Sequence, residues 1–235
     1  MAAGAPANDA RTGRKVLGVF AKCPQPGHVK TRLASATSPT WAAEVAEAFL
    51  LDFTDKLAAL DAERVLAFSP IETETYFQER FQTRFTLVPQ VEGHLGERMA
   101  SFFDQQFQTG AERVVLLGAD SPTLPAAYVE QAFRDLERAD VVFGPAMDGG
   151  YYLLGCAGRT PPIFADSEWS HHRVLAAAVA RLCDPAWRVA LLPPWYDVDT
   201  LQDWLTLQAH VMAMRRAGID PGLPRTQKLL ERFSI

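Results

Sequence analysis

Three groups of side chains able to do chemistry lie far apart in this 235-residue chain. The first is the stretch Lys22-Cys23-Pro24-Gln25-Pro26-Gly27-His28-Val29-Lys30-Thr31-Arg32-Leu33. It sets Lys22, Lys30 and Arg32, with His28 between them, around two prolines and a glycine. Such a basic loop after a first strand is where a nucleotide phosphate is commonly held. It is not a Walker A loop, because Gly27-His28-Val29-Lys30-Thr31 lacks the spaced glycines, and no GxGxxG occurs. Binding would rest on the cationic side chains, with backbone amides assisting. A solvated charged loop accounts well for one lysine and poorly for three cations in this setting.

The second group is Asp120 in VVLLGADSPTLP, residues 114–125. Four apolar residues without alternation read as a buried central strand. Gly118 ends the run and lets the backbone approach a partner closely. Asp120 then stands at the strand's carboxyl end, where open α/β sheets bind ligands. Two readings stand here: a carboxylate aimed at a ligand, or a cap for the turn before the next helix.

The third group is Asp197-Val198-Asp199-Thr200. Asp199 or Thr200 can cap the following helix, and Asp203 sits in its first turn. That leaves Asp197 unexplained. Residues two apart in an extended segment point the same way, so Asp197 and Asp199 would face one side. Paired carboxylates need a neutralising cation. With Asp120 they would offer three hard oxygen ligands to Mg2+ or Mn2+.

Two further loops could contact substrate. Gly93 and Gly96 precede or open a helix and either let backbone approach a base or ribose, or simply connect strand to helix. Asp148-Gly149-Gly150-Tyr151 reads either as a hairpin turn or as a surface over which a substrate passes, with Asp148 accepting a hydroxyl. Trp169 and His171 could line an acceptor pocket, and Ser170 is a candidate N-cap for a helix over 171–183.

These groups must be positioned by alternating strands and helices. Strands are predicted at 16–21, 64–68, 85–88, 114–117, 140–144, around 153–154 and at 188–192. Helices are predicted at 41–60, 72–80, from 95 (buried face Leu95, Met99, Phe102 and Phe103), at 126–138, 171–183 and 201–217, with a short amphipathic one after Pro221. The prolines and glycine of 22–33 argue against regular structure there. Strand–helix alternation throughout, without a repeat or linker, is the α/β pattern. The expected domain runs from 15 to 235, with residues 1–14 as a disordered tail.

Composition narrows the partners. A net charge of −5 argues against a general nucleic-acid or anionic-membrane surface, though not against a local phosphate pocket. The three cysteines fit no zinc or CxxC spacing, and read as thiols of a reducing cytosol. The first fourteen residues lack the apolar core of a signal peptide. No apolar run approaches the roughly 18 residues of a membrane span. A cytoplasmic protein is therefore expected.

The motifs FAKCPQPGHVKTRLA, LLGADSPTLP, GPAMDGGYYLLG, EWS and YDVDTLQDW, in that order, resemble the DUF2064 family, also called rSAM/selenodomain-associated transferase 1. The resemblance covers about residues 16–210. That family is similar to the nucleotide-diphospho-sugar transferase (GT-A) superfamily, and a similar VKTRLA-like loop occurs in 2-phospholactate guanylyltransferases. The resemblance implies a Rossmann-like α/β/α sandwich with a mixed, mostly parallel sheet. It also implies that Lys30 and Arg32, assisted by Lys22, bind a nucleotide triphosphate, and that Asp120, Asp197 and Asp199 bind the metal. Asp120, Lys30 and Arg32 would then be catalytic, and the nucleotide would touch Pro26, Gly27, Gly93 and Gly118. Asp148, Gly149, Gly150, Tyr151, Trp169 and Ser170 would hold a small acceptor. The expected reaction is nucleotidyl transfer from an NTP with release of pyrophosphate. Glycosyl transfer from an NDP-sugar, or nucleotide binding without catalysis, are the alternatives.

Overall fold

The computed structural model describes residues 13–164 and 173–232. Seven strands form one sheet in the order β3-β2-β1-β4-β6-β5-β7. They are β1 (Lys15–Lys22), β2 (Glu63–Ser69), β3 (Thr86–Pro89), β4 (Arg113–Leu117), β5 (Val141–Pro145), β6 (Tyr151–Ala157) and β7 (Val189–Leu191). The pairs β1–β2, β2–β3, β1–β4 and β5–β7 are parallel, whereas β6 runs antiparallel to both β4 and β5. The sheet is thus mixed and mostly parallel, as expected.

Every residue of β4 is buried, which explains its unbroken apolar run. Alternate strand residues feed two cores. Leu17, Val19, Leu66, Phe68, Val115 and Leu117 pack against α2 (Pro39–Leu57), α3 (Glu74–Phe81) and α5 (Ala126–Asp135). Val16, Val65, Val114, Leu116, Phe143 and Leu154 pack against α4 (Leu95–Gln108) and Ala178 of α6 (Val174–Arg181). A third cluster lies behind α2 and holds α1 (Thr31–Ala36), α7 (Leu201–Arg216) and α8 (Pro224–Arg232) around the fully buried Trp204.

Three local expectations are corrected. Thr31–Ala36 is helical although 22–33 reads as irregular. The prolines and glycine end at Gly27, and Leu33 anchors the new turn in the third cluster. Leu95 is 45% exposed instead of core-facing, because it is the first residue of α4 and stands at the mouth of a cavity. The helix predicted from His171 begins at Val174, with Arg173 in the capping position and no side-chain cap. Ser170, Trp169 and His171 lie outside the described residues.

Helices cover both faces, and β1 and β4 are adjacent parallel strands. Their carboxyl ends carry Lys22 and Gly118–Asp120 side by side, the position where doubly wound sheets open a ligand crevice. Among the described residues no helix is long and apolar enough to cross a membrane.

Candidate functional site

Above the strand ends lies a cavity of about 380 Å3. Of the residues singled out in the sequence, Lys22, Gly118, Asp120, Asp148, Gly150, Tyr151, Asp197 and Asp199 line it. Two smaller hollows adjoin it. One, of about 210 Å3, is lined by Lys22, His28, Lys30, Asp120 and Asp199. The other, of about 290 Å3, is lined by Arg32, Asp148, Asp197 and Asp199.

Backbone and side-chain bonds bring the late acidic pair to Asp120. The Val198 N–H donates to the Asp120 carbonyl at 2.9 Å. The Ser121 hydroxyl donates to the Asp197 carboxylate, and Thr123 Oγ1 donates to Tyr196 Oη at 3.0 Å. Val198 is fully buried in the third cluster, so Asp197 and Asp199 on either side point the other way, toward the cleft. Trp195 bonds both ways with the Asp148 loop: its N–H donates to the Pro145 carbonyl, and the Met147 N–H donates to its carbonyl, each at 3.0 Å. From below, Lys56 Nζ holds the loop after Asp120 through the Pro122 and Leu124 carbonyls at 2.7 and 3.3 Å.

Neither acidic residue left open as a helix cap acts as one. Pro125 occupies the capping position of α5, with no side-chain cap. Thr200 caps α7 in a reciprocal box with Asp203. Asp120 and Asp199 both face the cleft, and both receive Lys30.

The charges differ from expectation in one respect. The family resemblance gives Lys30 and Arg32 to a nucleotide's phosphates and the three acids to a metal. The structure sets the two cations among the acids: Lys30 Nζ bonds Asp120, the Val198 carbonyl at 2.7 Å and Asp199 at 3.3 Å. Arg32 Nη2 donates to Asp199 at 2.5 Å. Burial opposes the lysine charge, but Asp120 and Asp199 outweigh it, so its pKa is raised. Asp197 is pushed up to about 6, first by burial and then by the charges of Asp120, Asp199 and Asp148, against the opposing Ser121 bond.

Asp199 is therefore committed to two cations. Among the described residues no three His, Cys, Asp or Glu side chains stand together as a ready metal-binding group. The donor set still suits a magnesium-type ion, which needs only one or two protein carboxylates and takes the rest of its shell from water and phosphates. Asp120, with a side chain 55% exposed, and the half-buried Asp197 would be those two.

The Asp148 loop takes the hairpin form of its two readings. It is the turn of the β5–β6 hairpin, with Asp148 Oδ1 accepting from the Gly150 N–H at 2.9 Å and Gly149 at φ 93°. It also walls the cavity through Asp148, Gly150 and Tyr151. Gly149 itself does not line the cavity. Pro26 and Gly27 sit exposed at the tip of the basic loop and line none of the three hollows. Gly93 does not line them either, and its need for glycine is local. It has φ 121°, and a Cβ there would come within 2.2 Å of the Glu97 carboxylate that completes the α4 capping box.

Gln90 and Ser121 escaped the sequence reading. Gln90 follows the end of β3 and lines the cavity, its Nε2 donating to the Ala67 carbonyl at 2.8 Å. Its signal was the one that flags Asp120, a polar residue just past a strand's carboxyl end. Ser121 looked like a turn residue beside Pro122, and its partner is remote in sequence.

Known proteins share this chain's sequence and architecture. Residues 53–171 match the family described as "Uncharacterized protein conserved in bacteria (DUF2064)". A 3-phospho-D-glycerate guanylyltransferase from Phenylobacterium zucineum (strain HLK1) is 31% identical over 160 residues, 66% of this chain and 73% of that protein. A crystal structure of a candidate nucleotide-diphospho-sugar transferase from Desulfovibrio desulfuricans G20 superposes with a TM-score of 0.82 at 31% identity, over 94% of this chain and 98% of that one. A cytidylyltransferase from Leptospira borgpetersenii serovar Hardjo-bovis (strain JB197) shares the fold alone, with a TM-score of 0.57 at 11% identity over 94% and 98% of the two chains. The shared sequence, the mixed sheet and the cleft at the β1–β4 strand ends agree, and the chain belongs to the DUF2064 family of nucleotide-diphospho-sugar-transferase-like proteins.

Proposed function

We propose that this transferase moves a nucleotidyl group from an NTP, GTP first among the candidates, to a small phosphorylated or hydroxyl acceptor. The observation that carries the reading is the meeting of Asp120, Asp197 and Asp199 with the cations of the first loop beside one cavity. Nucleotidyl transfer asks little covalent work of a protein. Positioning and charge neutralisation dominate.

In this reading cations of the first loop neutralise the phosphates. Asp120 and Asp197 hold a divalent ion, Mg2+ or Mn2+. That ion supplies Lewis-acid stabilisation of the charge on the α-phosphate and the departing pyrophosphate. The Asp148–Tyr151 wall orients the acceptor so that its oxygen faces the α-phosphorus. The new bond joins that phosphorus to an ionised phosphate oxygen of the acceptor, or to a hydroxyl oxygen that gives its proton to solvent; the bond to the bridging oxygen breaks, and pyrophosphate leaves with its electron pair. The similarity to a 3-phospho-D-glycerate guanylyltransferase supports guanosine and a phosphorylated hydroxy acid as first substrates to try.

The test is pyrophosphate release from each NTP with Mg2+ across a panel of phosphorylated acids. Release above the acceptor-free rate supports the proposal. A second reading, glycosyl transfer, is favoured by the similarity to the candidate nucleotide-diphospho-sugar transferase. NDP release from an NDP-sugar, without pyrophosphate from any NTP, would replace the first reading by the second. Nucleotide-induced stabilisation with no turnover in either assay would leave a binding protein.

A further inference from the structure

The family resemblance gives Lys30 to the nucleotide, but its surroundings give it a different task. Lys30 is the only non-glycine residue at positive φ among the described residues, at φ 46°. A lysine keeps that conformation only where its surroundings over-determine it. Here the surroundings are explicit. Its side chain is 3% exposed and its ammonium lies 5.2 Å from the centre of the Phe49 ring. An ammonium has three N–H donors. These meet three acceptors, the Asp120 carboxylate, the Val198 carbonyl and the Asp199 carboxylate. No donor is left for a phosphate.

Its neighbours are placed differently. The Arg32 side chain is 64% exposed and gives one bond to Asp199, so most of its guanidinium donors face outward. Lys22 is exposed at the cavity wall, and no ion pair involves it among the described residues. The three cations that look equivalent in the sequence therefore divide into one buried and two open.

We propose that Lys30 is the built-in counter-cation of the acidic cluster, a positioning residue that holds Asp120 and Asp199 in place, while Arg32 and Lys22 meet the nucleotide's phosphates. The division of labour deepens the nucleotidyl-transfer reading and rests on it for the identity of the ligand. By tying the Val198 carbonyl as well, Lys30 fixes the Asp197–Asp199 segment against the loop of Asp120. The cluster then needs only one further divalent charge when substrate arrives.

The experiment uses Lys30→Met and Arg32→Ala in the full chain, with three probes: Mn2+ alone, GTP and GMP. Loss of the internal cation exposes Asp120 and Asp199 to each other. Lys30→Met should therefore bind Mn2+ alone more tightly, by about threefold or more, and weaken GTP and GMP by the same factor. Arg32→Ala should weaken GTP about tenfold more than GMP. The proposal is overturned if Lys30→Met leaves Mn2+ affinity unchanged and costs GTP about tenfold more than GMP, which would make Lys30 a phosphate ligand. If Lys30→Met does not fold, Lys30→Arg is read the same way. It should keep Mn2+ affinity near the native value, and selective loss of GTP would refute the assignment. If the native chain binds no nucleotide, the nucleotidyl-transfer reading fails, while the Mn2+ arm still decides the role of Lys30.

Discussion

Gly118 and Gly144 test whether the cavity, and not the fold alone, requires its glycine. Both lie at the carboxyl ends of parallel strands inside the sheet, but their surroundings are opposite. A Cβ added to Gly118 meets nothing nearer than Asp120 Oδ2 at 3.8 Å, and it would project beside the carboxylate at the cavity wall. A Cβ added to Gly144 would sit 2.5 Å from the Tyr152 ring, inside the core. Overpacking of that kind costs about 1–3 kcal/mol. For a chain of this size that is a fall of roughly 2–12 °C in melting temperature. Gly118→Ala should melt within about 0.5 kcal/mol of the native protein, since it strains nothing. Gly118→Val should likewise fold, but its methyl groups would occupy the space next to Asp120. A loss of about tenfold in nucleotide affinity, or about 1.4 kcal/mol, is expected. The assay pairs thermal melting with nucleotide titration in Mg2+ for all three variants. The reasoning is refuted if Gly118→Ala melts as low as Gly144→Ala. It also fails if Gly118→Val binds nucleotide as the native protein does, because the space beside Asp120 would then not be the ligand's.

Three other outcomes follow from the same geometry. Asp120→Asn should retain the native melting temperature within a few degrees and lose Mg2+-dependent nucleotide binding; binding that survives would remove Asp120 from the metal site. Burial lowers the Lys56 pKa to about 8, so the folded chain holds fewer protons than the unfolded chain between about pH 8 and the ordinary lysine range. Stability should therefore rise with pH across that window, by at most about 1.4 kcal/mol per unit. Lys56→Met should abolish the rise in denaturant titrations, and a rise of equal size in the variant would assign it to other groups. The fully buried Asp52 carboxylate accepts from the backbone N–H groups of Arg225 and Thr226, at 3.2 and 2.8 Å, and so caps α8 from a different helix. Asp52→Asn should cost about 0.5–2 kcal/mol. Limited proteolysis should show earlier cleavage around α8, and unchanged cleavage would mean that the cap does not hold the helix down.

Local patterning determined a good deal of this protein. The apolar run 114–117 was legible as the central strand because a strand buried on both faces has no room for alternation. The i, i+4 spacing of Val45, Phe49, Phe53 and Leu57 marked the buried stripe of α2 for the same local reason. The two-residue step from Asp197 to Asp199 put both carboxylates on one side of the chain, and the burial of Val198 between them agrees. The family motifs led from there to the fold. Other features were decided only by chain segments meeting across long separations. Nothing local in 22–33 indicates that Leu33 will join Trp204 and Phe49 in one buried cluster, where it is the buried residue of the helix Thr31–Ala36. Nothing local separates Lys30 from Lys22 and Arg32. Their types are interchangeable until the 120 and 197–199 segments close around one of them. A charge's role depends on what lies within a few ångströms of it, and tertiary packing sets those neighbours. Sequence spacing limited which residues could share a face; the closure of the cleft chose which cation became part of the scaffold and which remained open to a ligand.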